Sequence, residues 1–427
     1  MMMSAQLRKK ALVAGAVGNF IEWYEFAVYG FLATVIARNF FTLQGESDMT
    51  GLLLTWASFA IAFFFRPLGA MIFGRIGDRI GRKPVLVAVL VLMTLATAAI
   101  GLIPVYASIG IAAPLLLTLL RILQGLFAGG EYGGAVSLMT EFAPDGKRGR
   151  YGAWQSLTVA FGLLAGAAMV ATLSAVMSSE SLHTWGWRIP FLSALPLGGV
   201  ALWLRLQLEE TPAFTQQQPD NHPPAARRGL IPGAIALGIG RVMVWSAAGY
   251  TYLVVMPTYL QSVLHTGLNQ ALVIAVLSNI GFALTILPAG ILSDRIGRKR
   301  VMIAASVLLL LCAWPLLKVL QMPDTGLLIK CLVVLFAGAM VGMLAGPGPA
   351  MLAEMFPTHV RYTGLGLAYS LSNALFSGCA GLIISGLIKQ TGDRDIPAYY
   401  VIVTAAVSIM ALMSLRSDDH RRSLNER

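Results

Sequence analysis

Only 12% of the 427 residues are charged, whereas 57% are hydrophobic and the mean hydropathy is +0.73. Because soluble globular domains carry about 25% charged residues, this composition excludes an ordinary soluble protein. Residues 84–120, 151–179 and 331–353 carry no charge at all. Each stretch is long enough to cross a bilayer, since about 20 apolar residues suffice. The composition therefore predicts an integral membrane protein with several spans.

The chain begins with the basic stretch MMMSAQLRKK, which precedes a long apolar segment. A cleavable signal peptide is the alternative to a first membrane span, but Glu22 and Glu25 would then lie in or beside its apolar core. We therefore expect an uncleaved first span. The three cysteines fall within predicted spans, so we expect them to pack against neighbouring helices rather than form disulfides.

Apolar blocks separated by glycine, proline and charged residues predict twelve transmembrane helices in two sets of six. Spans 1 to 6 are predicted at 11–37, 50–73, 84–105, 113–140, 150–177 and 189–208. Spans 7 to 12 are predicted at 230–258, 268–292, 300–320, 327–353, 364–388 and 397–415. A polar, proline-rich stretch separates the two sets. We predict six-helix bundles at 11–208 and 230–416, joined by a cytoplasmic linker at 209–229.

The distribution of basic residues predicts the orientation. Twelve spans place both termini on the same side of the membrane. If that side is cytoplasmic, its segments hold 22 of the 31 lysines and arginines, and the opposite side holds 6. Because basic residues concentrate in cytoplasmic loops, both termini are predicted to be cytoplasmic. The net charge of +11 is then mostly a topology signal, and no nucleic-acid partner is expected.

Two charged decapeptides indicate an internal repeat. GRIGDRIGRK occupies 74–83 and GILSDRIGRK occupies 290–299, and each follows the second span of its half. Glu141 in TEFAPDGKRGRYG and Glu354 in AEMFPTHVRYTG both follow the fourth span of their half, and their separation along the chain is close to that of the decapeptides. The sequence therefore predicts two pseudo-symmetric bundles made by duplication, as in one large class of secondary transporters.

At these decapeptides the chain resembles the major facilitator superfamily, whose loop signature matches 74–83 and, in a second copy, 294–299. Several further motifs are typical of the metabolite:proton symporter family, and they are GNFIEWYEFAVYGF, LQGLFAGGEYGGA, WGWRIPF, LEETPAF and EMFPTHVRYTG. Most similarity is to the proline/glycine betaine and 2-oxoglutarate transporter branches. The resemblance covers roughly residues 11–415. It implies the major facilitator fold, in which two bundles rock about a site at the membrane midplane.

The resemblance also implies a role for the loop signature, which latches the bundles together on the cytoplasmic side when the site faces outward. A carboxylate in the loop can accept hydrogen bonds from arginines and from the N-terminus of a helix in the partner bundle. A positively charged topological anchor is the alternative. The predicted latch residues are Gly74, Asp78, Arg79, Gly81, Arg82, Asp294, Arg295 and Arg298.

Two buried carboxyls in span 1 are candidates for proton coupling. Glu22 and Glu25 share one face of the helix with Tyr29. Two carboxyls on a poorly hydrated face should not both ionise readily, so we expect one to hold a proton near neutral pH. In the sugar-porter branch of the superfamily an acid of span 1 pairs with an arginine of span 4, and Glu25 and Arg121 match those positions. A static ion pair between spans 1 and 4 is the alternative.

Span 4 carries a polar stripe. Arg121, Gln124, Glu131 and Tyr132 fall within about a third of the circumference of a regular helix, which predicts that they face the central cavity. Glu131 is a candidate proton carrier, with substrate binding and a hydrogen-bonded structural role as the alternatives.

A cation in span 7 is the main candidate for substrate binding. Arg241 lies about 12 residues into the span, near the midplane at 1.5 Å per residue. Its planar guanidinium matches two carboxylate oxygens, so we predict a substrate contact beside Trp245, with an ion pair to the other bundle as the alternative. Asn373 in span 11 is predicted to complete the site. Arg66 is close to the charged loop and is expected to extend to the cytoplasmic interface.

Together these features predict a proton-coupled symporter of the bacterial inner membrane that takes up a small carboxylate-bearing metabolite by alternating access. The alternatives are a symporter of proline- or betaine-type zwitterions and a proton-driven exporter of an acidic metabolite or drug. An enzyme is not expected, because no histidine lies in a span core and no metal-binding spacing occurs. We expect no cofactor, no metal ion and a monomeric chain in the bilayer. The predicted substrate residues are Arg241, Gln124, Tyr29, Tyr132, Trp245 and Asn373.

Overall fold

The computed structural model describes residues 5–41, 48–80, 82–141, 143–144, 146–207, 231–356 and 361–416. Within these ranges every regular element is a helix. In the described part of the chain, ten helices are long and apolar enough to cross a membrane, and the bent pair Ala16–Phe31 and Ala33–Phe41 would make an eleventh span. The all-α membrane fold is therefore confirmed, while the count of twelve spans and the cytoplasmic termini stay predictions. The predicted linker at 209–229 lies outside the described residues.

The helices of the first half follow the predicted spans in order. Span 1 is formed by Ala5–Phe31, Ala33–Ile36 and Ala37–Phe41; span 2 by Asp48–Ile80; span 3 by Arg82–Leu102; span 4 by Ala112–Ala128 and Tyr132–Glu141; span 5 by Arg148–Val176; and span 6 by Arg188–Leu192 and Ala194–Leu206. Span 4 is interrupted by a turn at residues 129–131. This interruption makes the first piece of span 4 shorter than the other spans.

The second half repeats this order. Span 7 is formed by Ile231–Tyr250, Thr251–Val255 and Met256–Ser262; span 8 by Leu268–Ile296; span 9 by Arg298–Gln321; span 10 by Leu327–Ala345 and Gly348–Met355; span 11 by Arg361–Ser372, Asn373–Gly378 and Ala380–Thr391; and span 12 by Ile396–Met413. Spans 7 and 11 each contain a π-helical segment, at Thr251–Val255 and Asn373–Gly378. A π-helical turn inserts an extra residue, and such turns are frequent at functional sites.

Close helix packing shows the same repeat in three dimensions. Span 2 packs on span 4, and span 8 packs on span 10. A Cβ atom added to Gly125 would meet the backbone of Ala62, and one added to Gly338 would meet the backbone of Ser278. The separation of the two glycines along the chain equals that of Glu141 and Glu354, and the separation of Ala62 and Ser278 equals that of the two decapeptides. The two halves therefore use glycine in equivalent places to bring backbones together.

The two bundles meet through span 2 against span 11 and through span 5 against span 8. Large apolar side chains are exposed on spans 3, 6, 9 and 12, and these surfaces would face lipid. Examples are Leu95, Trp203, Leu311 and Met410. Spans 1 and 7 lie at the centre, so that their polar side chains are enclosed by protein rather than by lipid.

We expect Gly125→Val to destabilise the protein, because the new side chain would overlap the Ala62 carbonyl and force spans 2 and 4 apart. Overpacking of this kind typically costs about 1–3 kcal/mol. Thermal unfolding of the detergent-purified protein should show a lower Tm. Gly199→Val is the matched control, because a Cβ at Gly199 has no atom within 4 Å. Equal Tm values for the two variants would contradict the close packing of spans 2 and 4.

Candidate functional site

A cavity lies between the bundles and is lined by spans 1, 5, 7, 8, 10 and 11. The free space is narrow in this conformation, since only about 30 Å³ is available to the centre of a water molecule. Its aromatic lining consists of Trp23, Trp245, Tyr250, Phe282 and Tyr369. Its polar lining consists of Ser156, Ser246, Asn373 and Ser377. Among the described residues, no Asp, Glu, Lys or Arg lines this cavity.

The π-helical segments of spans 7 and 11 place residues at the cavity wall. Leu253 and Val254 lie in the segment of span 7, and Asn373 and Ser377 lie in that of span 11. Ser377 Oγ is 2.6 Å from Asn373 Oδ1, to which it donates, and 3.2 Å from the Ser246 carbonyl oxygen of span 7. These contacts connect spans 7 and 11 beside the cavity and orient the Asn373 amide.

Three of the predicted substrate residues lie at or beside this cavity. Trp245 and Asn373 line it. Tyr132 of span 4 stacks face to face on Tyr369 of span 11, with ring centroids 3.5 Å apart and planes 6° from parallel. Because Tyr369 lines the cavity, this stack closes the space between the two bundles directly beside it.

The other predicted substrate residues lie elsewhere. The Tyr29 hydroxyl hydrogen-bonds to Ser58 within the first bundle. Gln124 accepts a hydrogen bond from Arg121 Nη1 at 2.6 Å and donates to Thr97 Oγ1 at 2.6 Å. Both side chains are fully buried among helices of the first bundle and do not line the cavity.

Arg241 does not reach the cavity, contrary to the prediction of a substrate contact. It lies one helical turn before Trp245, and its guanidinium points towards the end of span 12. Nη2 donates to Ser414 Oγ at 2.8 Å, and Nε donates to the Ala411 carbonyl at 3.4 Å. A cation near the last carbonyls of a helix is favourably placed against the helix dipole. The guanidinium is therefore engaged with span 12 and does not act as a carboxylate clamp in this conformation.

Two ion pairs are buried among the described residues of the first bundle. Arg66 Nη2 lies 3.0 Å from Glu22 Oε1, and both side chains are about 4% exposed. Arg66 therefore does not extend to the cytoplasmic interface, as its position beside the loop had suggested. Glu131 pairs with Arg205 of span 6, which also donates to the Leu86 carbonyl. A carboxylate held by a buried arginine has its charge compensated, so this contact favours the structural role for Glu131.

Glu25 differs from the other two carboxyls. It is 0% exposed, and neither of its oxygens has a hydrogen bond of ordinary geometry within the described residues, although Thr97 is a polar neighbour. The ion pair with Arg121 that the resemblance implied is not formed. Instead, the Arg121 guanidinium lies over the rings of Tyr29 at 4.2 Å and Phe26 at 4.8 Å. Glu25 is thus a buried carboxyl without the direct cation partner that Glu22 and Glu131 have.

A cluster on the predicted cytoplasmic side joins the bundles. Asp294 at the end of span 8 accepts hydrogen bonds from the backbone N–H groups of Gly149 and Arg150, at 2.8 and 2.9 Å. These amides belong to the first turn of span 5 in the other bundle, where a helix N-terminus favours negative charge. Arg298 Nη1 also donates to Asp294, at 2.7 Å. We call Asp294, Arg298, Glu354, Arg148 and the first turn of span 5 the cytoplasmic latch.

Glu354 completes the latch, although no function was predicted for it from the sequence. Its Oε1 lies 3.2 Å from Arg298 Nη2 and 3.4 Å from Arg148 Nη1, so the carboxylate joins cations of both bundles. The sequence did contain a signal for it, because Glu354 follows span 10 as Glu141 follows span 4 in the first half. Arg295 is exposed and lies outside these contacts. Gly81 and the side chains of the other predicted residues of the first loop copy (Gly74, Asp78, Arg79 and Arg82) lie outside the described part of the structure.

The bundles also touch on the predicted outer side. Thr34 Oγ1 donates to Gln261 Oε1 at 3.1 Å, and Lys389 Nζ donates to Thr50 Oγ1 at 2.7 Å. The rings of Trp56 and Phe63 in span 2 pack against Gly381 and Gly378 of span 11. The cavity is therefore enclosed between contacts at both ends, as in an occluded conformation.

Comparison with known proteins agrees with this architecture. Residues 10–234 match the family described as "Sugar (and other) transporter", and residues 242–427 match "Major Facilitator Superfamily". A solved structure of the proton:xylose symporter XylE superposes with a TM-score of 0.80 at 17% sequence identity, covering 96% of this chain and 95% of that one. At this identity the similarity establishes the fold alone.

Curated relatives are similar along almost the whole chain. The proline/betaine transporter of Salmonella typhimurium is 36% identical over 97% of this chain and 84% of its own length. The ectoine/proline transporter ProP of Corynebacterium glutamicum is 37% identical over 97% of this chain and 85% of its own. The glycine betaine/proline/ectoine/pipecolic acid transporter OusA of Dickeya dadantii is 36% identical over 94% and 82%.

The chain belongs to the major facilitator superfamily and, within it, to the metabolite:proton symporter family. It is therefore a multi-pass transporter of the bacterial inner membrane, not an enzyme. The candidate site of this major facilitator protein is the cavity between its bundles, where spans 1, 7 and 11 contribute most of the aromatic and polar lining. Trp23, Tyr250 and Tyr369 were not among the predicted site residues, because the prediction gave most weight to charged residues within the spans.

Proposed function

We propose that this transporter takes up a small zwitterion of the proline or betaine class together with a proton. The observation that carries the proposal is the composition of the cavity wall, which is aromatic and weakly polar and has no full charge among the described residues. The names of the curated relatives, which include proline, betaine and ectoine transporters, support the same class of solute.

The physical argument concerns net charge. Burying an uncompensated ion is strongly unfavourable, because it loses hydration that an apolar wall does not replace. A di- or tricarboxylate would bring two or three negative charges into a cavity without a lining cation, and Arg241 is engaged with span 12 instead. A zwitterion carries its own counter-charge, so its transfer needs no cation in the wall. This favours the zwitterion over the carboxylate solute that Arg241 had suggested.

The proton is assigned to Glu25. An ionised Glu25 has no direct cation partner here, whereas a protonated Glu25 is neutral and fits its buried position. Glu22 and Glu131 are each compensated by an arginine. A symporter needs a carboxyl that is protonated in one conformation and ionised in another, and Glu25 is the carboxyl of span 1 whose charge is not already neutralised.

The test is uptake of labelled solute into proteoliposomes of the purified protein under an inward proton gradient. We expect accumulation of glycine betaine or proline above the equilibrium level, with no accumulation of 2-oxoglutarate or citrate. A protonophore should abolish the accumulation and is the control for the driving force. Gradient-driven accumulation of a di- or tricarboxylate would overturn the zwitterion assignment. Loss of preloaded solute driven by the same inward proton gradient would indicate an exporter.

A further inference from the structure

Two buried hydrogen-bond donors in the cavity have no ordinary partner within the described residues. The Tyr250 hydroxyl lacks a hydrogen bond, and Asn373 Nδ2 has none of ordinary geometry, although the Tyr369 hydroxyl is close enough to interact with one of its two N–H groups. Tyr250 is 6% exposed and Asn373 is 3% exposed, and both residues line the cavity. Leaving a buried polar group unpaired costs about 1–3 kcal/mol, so donors in this position indicate an absent acceptor.

The two donors come from different spans but from one bundle. Tyr250 is the last residue before the π-helical segment of span 7, and Asn373 is the first residue of that in span 11. Since Ser377 donates to Asn373 Oδ1, the amide N–H groups are directed away from Ser377. A hydroxyl and an amide nitrogen match the two oxygens of one carboxylate, which is an acceptor without donors of its own.

Aromatic faces in the cavity wall are suited to the positively charged end of a zwitterion. Trp245 and Tyr369 pack with ring centroids 5.6 Å apart, and Trp23 and Tyr250 with centroids 6.1 Å apart. Aromatic faces attract cations, including quaternary ammonium groups. An ammonium that keeps N–H bonds would also need acceptors, and those of the described lining are neutral hydroxyl and amide oxygens rather than a carboxylate. A fully methylated ammonium has no N–H bond to satisfy.

We propose that Tyr250 and Asn373 bind the substrate carboxylate, and that Trp23, Trp245 and Tyr369 form the wall that selects an ammonium group without N–H bonds. The inference rests on the proposed zwitterion class and assigns its two ends to separate residues. It also sets an order among zwitterions. Affinity should rise with each N-methyl group from glycine through sarcosine and dimethylglycine to glycine betaine.

Equilibrium binding to the detergent-purified protein tests the order without requiring transport. Isothermal titration with the four compounds should give Kd values that fall along the series, with glycine betaine bound at least about tenfold more tightly than glycine. Equal Kd values, or the reverse order, would overturn the selection by the aromatic wall. Because no proton gradient is involved, failure of proton-coupled uptake leaves this result intact and is recognised separately.

Variants test which residue binds which end of the solute. Tyr250→Phe and Asn373→Ala should each weaken glycine betaine binding about 10- to 100-fold, the range for a hydrogen bond to a charged group. Both should leave binding of tetramethylammonium, which has no carboxylate, unchanged. Tyr252→Phe is the matched control, because its hydroxyl is also buried and unpaired but does not line the cavity.

Trp245→Leu completes the set, since it should weaken both glycine betaine and tetramethylammonium. If Tyr250→Phe, which keeps the ring, binds glycine betaine like the unmodified protein, the carboxylate assignment of Tyr250 fails. If it weakens both ligands equally, Tyr250 contributes to the wall and not to the carboxylate contact, which also overturns the assignment.

Discussion

Glu25→Gln is expected to abolish proton-driven accumulation of solute while solute exchange across the membrane continues. Glutamine keeps the size and polarity of the side chain but cannot take up and release a proton. At 100 mV one coupled charge is worth about 2.3 kcal/mol, which supports about 50-fold accumulation of a neutral zwitterion. In the variant, the solute concentration inside the vesicles should rise no higher than the concentration outside. Proteoliposome uptake with and without an imposed gradient measures the change.

The exchange assay separates lost coupling from lost folding. In it, labelled solute inside the vesicles exchanges with unlabelled solute outside, and no net proton movement is required. Glu180→Gln removes an exposed carboxylate of the same type and should leave both assays unchanged. If Glu25→Gln still accumulates solute as the unmodified protein does, Glu25 is not the proton carrier. If it loses exchange as well, its role is structural or in solute binding.

Asp294→Asn is expected to open the cytoplasmic side. The carboxylate accepts two backbone N–H groups from span 5 and one N–H from Arg298, and an amide cannot replace all three because its nitrogen is a donor. Hydrogen bonds to charged groups contribute about 1.5–3 kcal/mol each, so losing one should shift the ratio of open to closed protein about 10- to 100-fold.

Distances between spin labels on the two bundles measure this shift. Lys147 and Arg300 are exposed and flank the cytoplasmic latch on opposite bundles, so cysteines at these positions report its separation once the three native cysteines are replaced. Asp294→Asn should add a population at longer distance. Asp324→Asn, at an exposed carboxylate away from the latch, should leave the distances unchanged. A distance distribution that Asp294→Asn does not alter would contradict the latch.

Much of the architecture follows from properties that single residues carry. Hydropathy marks the spans wherever about 20 apolar residues occur together, and the charge of the loops predicts orientation. The spacing of the sequence repeats reappears in the packing of Gly125 on Ala62 and of Gly338 on Ser278. The second loop copy also follows from the local sequence. Asp294 and Arg298 are four residues apart, at the end of span 8 and the start of span 9, so their side chains pair there, and the Asp294 carboxylate accepts from the first turn of span 5.

The pairing of the buried charges could not be read from the same pattern. Placing residues at 100° intervals assumes an unbroken helix, but span 4 is interrupted at residues 129–131, so the stripe that joined Arg121 to Glu131 does not persist. Glu131 pairs with Arg205 from span 6, and Arg66 turns inward to Glu22. Which arginine reaches which carboxylate depends on the neighbours of each helix, and these are set by bundle packing.

The cavity shows most clearly which features follow from the sequence and which depend on the packing of the helices. The sequence by itself determined a two-bundle membrane transporter with buried carboxyls in span 1. Only the tertiary structure decided that Arg241 points to span 12, that Glu25 has no direct cation partner, and that aromatic rings line the cavity. For Arg241 and Glu25 the physical reason is the packing of neighbouring helices, and for the cavity wall it is also that π-helical turns in spans 7 and 11 rotate the rest of each helix about its axis. Hydropathy records that a residue lies in the membrane, whereas the direction of its side chain depends on those local changes of helical geometry.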